Sequence, residues 1–260
     1  MKKKKMSCLG AFFLMAVVMF TSCLGEGSNV MERPIVGIVT THPQTFQKVL
    51  DVGGVYFSAV DFLDKSDGAC WWVHYRLDND LPENANAGQT GIYTVAILNK
   101  YEYERHDVAS QLTDSSVLLE KELPLMNPVY NFQGYIQGRI FLDHALNQPK
   151  GQQNNWDLSY DYQKMYEEES GERVYELYIR ATVKSESTNS AENQLIPCAY
   201  YARSFFEAAA REEKSDNKSD VYFRLNYVSE IREDGEMTWK KTEKLYLPVN
   251  IILTENLIID

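Results

Sequence analysis

The sequence predicts an all-β protein, a small OB-like barrel followed by a β-sandwich, with one short helix. Three observations carry this. Runs rich in Val, Ile, Tyr, Phe and Trp recur along the chain, separated by clusters of Gly, Asn, Asp and Pro, which is how strands and their turns are written. Alternation is clear in Val174-Tyr175-Glu176-Leu177-Tyr178-Ile179-Arg180 and in Val221-Tyr222-Phe223-Arg224-Leu225-Asn226-Tyr227, so one face of a sheet is solvated there. Only one stretch, from Ser204 to Glu213, is built of strong helix formers.

Structure is expected to begin near Pro34. The first strands are read at 35–41, 55–63, 69–77, 92–103 and 117–123, with Asp67-Gly68 as a hairpin turn because glycine accepts positive φ. Five strands in about 90 residues is the count of a Greek-key barrel such as the OB-fold. A second series follows Pro124 and Pro128, at 130–142, 156–167, 173–185, 221–231 and 244–253, and reads as a sandwich. The helix is capped by Ser204, since a serine oxygen can accept from a free first-turn N–H. Residues 214–220 break it, and 184–193 reads as an exposed loop. The domains expected are 33–113 for the barrel and 114–260 for the sandwich.

Ahead of these, Lys2 to Lys5, an apolar run from Leu9 to Phe20, and Phe20-Thr21-Ser22-Cys23 follow one another. The apolar run is shorter than the roughly 20 residues that span a bilayer, and small residues precede the cysteine. This resembles the lipobox of bacterial lipoproteins, which implies a signal peptide at 1–22, lipidation at Cys23 and attachment to the membrane through that lipid. Residues 23–32, small and polar, are expected to form a flexible tether.

Removing residues 1–22 takes away four lysines and no acid, leaving 22 basic against 37 acidic residues, a net charge of −15 rather than −11. So acidic a chain repels nucleic acid and anionic headgroups, which excludes nucleic acid as a partner. Of the four cysteines, Cys70 and Cys198 remain for the folded part. An oxidising envelope would permit their pairing, whereas their apolar neighbours, Trp71-Trp72 and Ala199-Tyr200-Tyr201, favour two buried, unpaired thiols.

Together Phe20-Thr21-Ser22-Cys23, the opening Val36-Gly37-Ile38-Val39-Thr40, the strand Gly68-Ala69-Cys70-Trp71-Trp72-Val73-His74-Tyr75 and the later Asn127-Pro128-Val129-Tyr130 resemble the NigD-like lipoproteins of Bacteroidetes. The resemblance implies an outer-membrane lipoprotein built of an OB-like domain and a sandwich, brings no catalytic residues with it, and suggests bacteriocin immunity as a role. Leu24-Gly25-Glu26-Gly27 lacks the acidic cluster of many surface-exported relatives, so the periplasmic and cell-surface faces both stay open.

Chemistry-bearing motifs are sparse. His42, His74, His106 and His144 stand 32 to 38 residues apart, and neither HExxH nor CxxC occurs, so no metal site is expected. Asp78-Asn79-Asp80 with Glu83 offers oxygen ligands but lacks the glycine and final glutamate of a calcium loop, and reads as a polar turn. The nucleotide-binding and nucleophile signatures are missing, so neither enzyme activity nor a cofactor is expected. Strand parity puts Trp71, Val73 and Tyr75 on one face and Cys70, Trp72 and His74 on the other. The first set is the more apolar, so Trp72 is the candidate for exposure. Trp72 and His74, with Asp78 and Asp80 on the following turn, form the candidate binding surface. The reading is a lipid-anchored, non-enzymatic envelope binding protein whose partner is an envelope protein or a glycan; immunity and surface glycan capture are the alternatives.

Overall fold

The structure, a computed structural model, describes residues 29–112 and 115–254. The expected signal peptide, Cys23 and most of the expected tether lie outside the described residues. Among the described residues, no helix is long and apolar enough to cross a membrane.

The first module is a closed five-strand path. Strand β1 (Val30–Thr41) pairs antiparallel with β2 (Lys48–Asp51) and with β4 (Cys70–Asp78), and β2 pairs with β3 (Tyr56–Ser58). β5 (Ile92–Thr94) runs parallel to β3, and β6 (Ala96–Ala109) runs antiparallel to β4. Only Val95 separates β5 from β6, so the two act as one bent strand that closes the ring, which is the Greek-key order of an OB barrel. Val39, Leu50, Phe57, Phe62, Trp71, Val73 and Tyr75 fill its interior.

Several sequence expectations are corrected here. β1 starts at Val30 rather than near Pro34, because Val30, Met31 and Glu32 pair with Asp78, Leu77 and Arg76 and an Arg76–Glu32 ion pair at 2.5 Å fastens the end. The run 55–63 is no single strand: after β3 the chain turns through a 3-10 helix at Val60–Phe62, which drops Phe62 into the barrel and leaves Val60 and Leu63 exposed. Gly68 does take positive φ (+83°), but β3 and β4 are not paired, so it serves a turn and not a hairpin. Of 117–123 only Glu122–Leu123 (β7) is strand.

The second module has two sheets. In one, β8 (Asn127–Ile136), β9 (Arg139–Pro149) and β13 (Ala191–Tyr201) run antiparallel. In the other, β10 (Gln153–Ser159) and β12 (Glu172–Ser185) pair antiparallel, β12 runs parallel to β14 (Asp220–Ile231), and β11 (Tyr166–Glu169), β15 (Met237–Lys241) and β16 (Leu245–Pro248) complete the edges. Side chains of both sheets share one core, with Leu142, Cys198 and Tyr200 from the first facing Leu158, Leu177 and Phe223 from the second. The run 130–142 is therefore a hairpin and not one strand. Its turn is Gln137-Gly138, with φ of +48° and +79°, which suits glycine but which the pair Gln-Gly advertises poorly.

A helical turn, α1 (Ala87–Thr90), precedes β5, and the longer α2 (Arg203–Ser215) covers the sandwich with Phe205, Phe206, Ala209 and Ala210. The serine cap is corrected: Ala202 holds the N-cap position and no side chain caps α2. The end of 244–253 is helical, as α3 (Val249–Thr254). The strand β13 starts inside the segment read as loop, because Glu192 to Gln194 pair with β9 despite their polarity.

β6 belongs to both modules. Cys70 to Arg76 pair with its first half, whereas Glu104 to Asp107 run parallel to Cys198 to Tyr201 and Val108 meets Leu158 of β10. Where the modules meet, Val36, Ile38, Cys70 and Tyr103 of the barrel pack on Ile136, Phe141 and Ala199 of the sandwich.

One buried ion pair ties the segment before β8 to the sheet. Arg180 and Glu122 are 2% and 0% exposed, Arg180 Nε donates to Glu122 Oε1 at 2.6 Å, and Arg180 Nη2 donates to the Val117 carbonyl at 2.6 Å. Removing one member strands a charge in the interior, at a cost of about 3–5 kcal/mol. Glu122→Ala is expected to lower stability by about that amount in urea unfolding; a loss below about 1 kcal/mol, the range of exposed pairs, would show that the pair is not dry.

Candidate functional site

The candidate site is the groove between the barrel and the sandwich. One carboxylate shapes its walls. Asp51, at the end of β2, accepts hydrogen bonds from the Gly53 and Gly54 N–H groups through Oδ1, at 2.9 and 2.8 Å. Its other oxygen, Oδ2, accepts from Gln137 Nε2 at 2.7 Å. One carboxylate therefore caps the β2–β3 turn of the barrel and holds the β8–β9 turn of the sandwich. Asp51 is only 8% exposed, and three donors supply what water no longer does.

The groove has a volume of about 740 Å³, and Ile35, Val36, Tyr56, Ile136 and Ile251 give it an apolar lining, with Asp51 and Gln137 at one wall. Beside it, the mouth of the barrel forms a second cavity of about 310 Å³ lined by Met31, Val55, Phe57, Leu77 and Tyr93. Ile35 and Val52 line both, so the groove adjoins an apolar cavity of the barrel. Concave, largely apolar surface with a few fixed polar groups is the usual form of a ligand site. Burial, reinforced by the Asp51 charge, raises the Tyr56 phenol above its ordinary value, so it stays a neutral donor at physiological pH. His42 meets the Tyr56 ring edge-on at 4.7 Å and steadies it.

The residues named from sequence lie elsewhere. Trp71, Val73 and Tyr75 point into the barrel, and Trp72 and His74 sit half-exposed on its outer face. Trp72 stacks on Tyr101, with centroids 5.0 Å apart and planes 10° from parallel, and its ring is 6.5 Å from that of His74. Asp78 and Asp80 come together in the turn after β4: Asp78 Oδ1 accepts from the Asp80 N–H at 2.9 Å, and Asp80 accepts from Asn29 Nδ2 at 2.6 Å. Asn84 locks that loop, donating to the Asp78 and Thr94 carbonyls and accepting from the Thr94 N–H. Neither pair lines the groove. Among the described residues no three His, Cys, Asp or Glu side chains gather as metal ligands.

The remaining titratable groups of the interior serve the fold. Cys70 and Cys198 are buried, unpaired thiols, and burial pushes Cys70 up to about 11. His144 is wholly buried, stacked on Trp156, with one ring nitrogen on the Pro128 carbonyl and the other 2.8 Å from the Tyr200 hydroxyl. Nδ1 must donate to the carbonyl, so Nε2 is left to accept from Tyr200 and the ring is neutral.

Burial lowers His144 to about 3 and also lowers His106. A histidine depressed in the fold takes up its proton in the unfolded chain first, so stability is lost as pH falls below the unfolded value of about 6.5. Urea unfolding is expected to show a loss of about 2 kcal/mol from His144 between pH 7 and 5, and His144→Gln should flatten that segment. A profile equally steep in the variant would contradict the assignment.

Residues 27–101 match the family model described as a lipoprotein OB domain. No curated protein matches the chain. Among solved structures, an uncharacterized protein from Parabacteroides merdae ATCC 43184 is similar at a TM-score of 0.73 and 21% identity, over 84% of this chain and 99% of that one. A protein from Bacteroides fragilis NCTC 9343 assigned as a lipoprotein is similar at 0.54 and 10% identity, over 82% and 96%. A NigD-like immunity protein from Bacteroides caccae ATCC 43185 stands at 0.46 and 10% identity, over 81% and 91%, a likeness too low to argue from. The first two share the fold across both modules, and the OB-domain match agrees with the resemblance to NigD-like lipoproteins of Bacteroidetes.

Proposed function

We propose that this chain, with a lipoprotein OB domain at its N-terminal end, is a lipid-anchored, non-enzymatic binding protein of the outer membrane, and that the groove between its modules is where it takes an envelope protein partner. The observation that carries the reading is the groove itself: apolar along most of its length and held open by the Asp51–Gln137 hydrogen bond, it offers preformed concave surface. A preformed site loses little conformational entropy when it is filled. The partner class follows from the lining. Apolar walls with one carboxylate at the rim suit side chains of a polypeptide, and the acidic chain favours a partner segment that is neutral or basic there.

Attachment rests on Cys23. A single acyl chain binds a membrane only marginally, so stable anchoring needs the several chains that lipoprotein processing provides. The test places a photo-crosslinking residue at Gln133, on the groove wall, in the full chain in living cells. A discrete adduct is expected, lost when Ile251→Trp fills the groove; Ile251 is 43% exposed, so the fold tolerates the change. The same adduct from a crosslinker at the exposed Tyr162, or its persistence with Ile251→Trp, would place the contact elsewhere.

A further inference from the structure

We infer that Arg105, Arg139 and Arg203 form an oxyanion site that takes a phosphomonoester group. Arg105 and Arg139 lie on one face of the sheet that joins the modules, and Arg203 opens the helix that follows it. Arg139 on β9 is paired with Tyr201 on β13, and Arg105 on β6 is paired with Ala199, the preceding residue on that same face. Arg203 opens α2 immediately after β13. The guanidinium carbons of Arg139 and Arg203 lie 5.1 and 5.9 Å from the Tyr201 ring centre, so one aromatic ring holds both at a fixed place. Gly138 makes this packing possible: its φ is +79°, and a side-chain carbon there would stand 2.8 Å from Arg203.

These arginines are neighbours that lack anions; Arg33, at the far end of the barrel, is likewise unpaired but stands apart from them. Elsewhere this acidic chain pairs its arginines with carboxylates: Arg76 with Glu32, Arg173 with Glu213 and Asp216, Arg180 with Glu122, and Arg224 with Glu167, Glu169 and Glu176. Arg105, Arg139 and Arg203 make neither an ion pair nor a guanidinium hydrogen bond with a described residue, and the Nε of Arg203 is buried with no acceptor. The fold thus leaves part of this guanidinium without a partner, and its remaining N–H donors are free for a ligand oxygen. The first turn of α2 adds to the field, since it holds no acid, no side chain caps it, and its free N–H groups carry partial positive charge.

Charge decides the ligand class. Asp107, paired with Tyr201 on the same face, offsets one of three positive charges, which matches a phosphate dianion better than a carboxylate monoanion. Guanidinium groups bind phosphate oxygens through paired N–H donors. The ligand is a soluble phosphomonoester, such as a phosphorylated sugar, or a lipid headgroup of the same chemistry. Cys70 stands at the arginine end of β4, and Asp78, opposite Val30, at the other, so the patch lies about 27 Å along the strand from where the tether joins.

The test uses the full chain carrying Cys23→Ser, so that no acyl chain inserts. Glucose 6-phosphate is titrated by calorimetry, and vesicles of phosphatidylcholine with and without phosphatidic acid are sedimented with the protein. Saturable binding to one of them is expected, weakened by salt, reduced at least tenfold by Arg139→Gln with Arg203→Gln, reduced by the exposed Arg105→Gln alone, and unchanged by Arg211→Gln, whose guanidinium is paired with Glu207. Binding to the sugar phosphate assigns a soluble source, and arginine-dependent sedimentation with phosphatidic acid assigns a headgroup. Should the double variant fold poorly, Arg105→Gln carries the test. No saturable binding of either kind, or equal binding by the folded variants, overturns the site.

Discussion

The structure depends on a single strand used twice. β6 closes the barrel with its first half and with its second half pairs with β13 and β10. A backbone ladder cannot be broken on one side without leaving N–H and C=O groups unpaired, each at a cost set by its burial. The modules are thus joined by main-chain hydrogen bonds and by the apolar contact of Val36, Ile38, Cys70 and Tyr103 with Ile136, Phe141 and Ala199. Most paired domains in a chain meet through side chains alone and move against one another. Here the groove lies beside a continuous sheet that joins its two walls.

Charge is arranged to the same end. The most buried acids are spent on positions that hold segments together: Glu122 on Arg180, Glu176 on Arg224 and Asn226, and Asp51 on the two turns that meet at the groove. Glu213 joins Tyr175 and Arg173 to α2. Such groups are weak contributors to net stability when compared with apolar replacements, yet costly to break. They fix which segment sits where. Against that background, Arg105, Arg139 and Arg203 stand out as neighbouring arginines, two of them packed on one tyrosine ring, that meet no carboxylate.

The barrel was largely legible in the sequence, since strand β4 shows why parity works. Trp71, Val73 and Tyr75 recur every second residue and enter the core, and Trp72 and His74 turn to the other face. Where the pattern failed, a competing constraint was present. The strand read at 92–103 runs on to Ala109, because in the second half of β6 only alternate residues, His106 and Val108, face the sandwich and the charged residues between them break the apolar run. β13 begins with Ala191 to Gln194, whose polarity hid a strand that is paired by backbone and not by side-chain burial. The groove was not legible at all. Its defining bond joins Asp51 to Gln137 across 86 residues, and no local spacing announces a contact made by tertiary folding.

A shared strand that makes barrel and sandwich one cooperative unit is read out by hydrogen exchange across a urea series. The amides to follow are those of β4 in the barrel and β12 in the sandwich. Both sets are expected to lose protection together, at one midpoint and with one free energy of opening. Exchange of β4 at lower urea while β12 stays protected would show that the modules open separately, and the rigid groove would then have no basis.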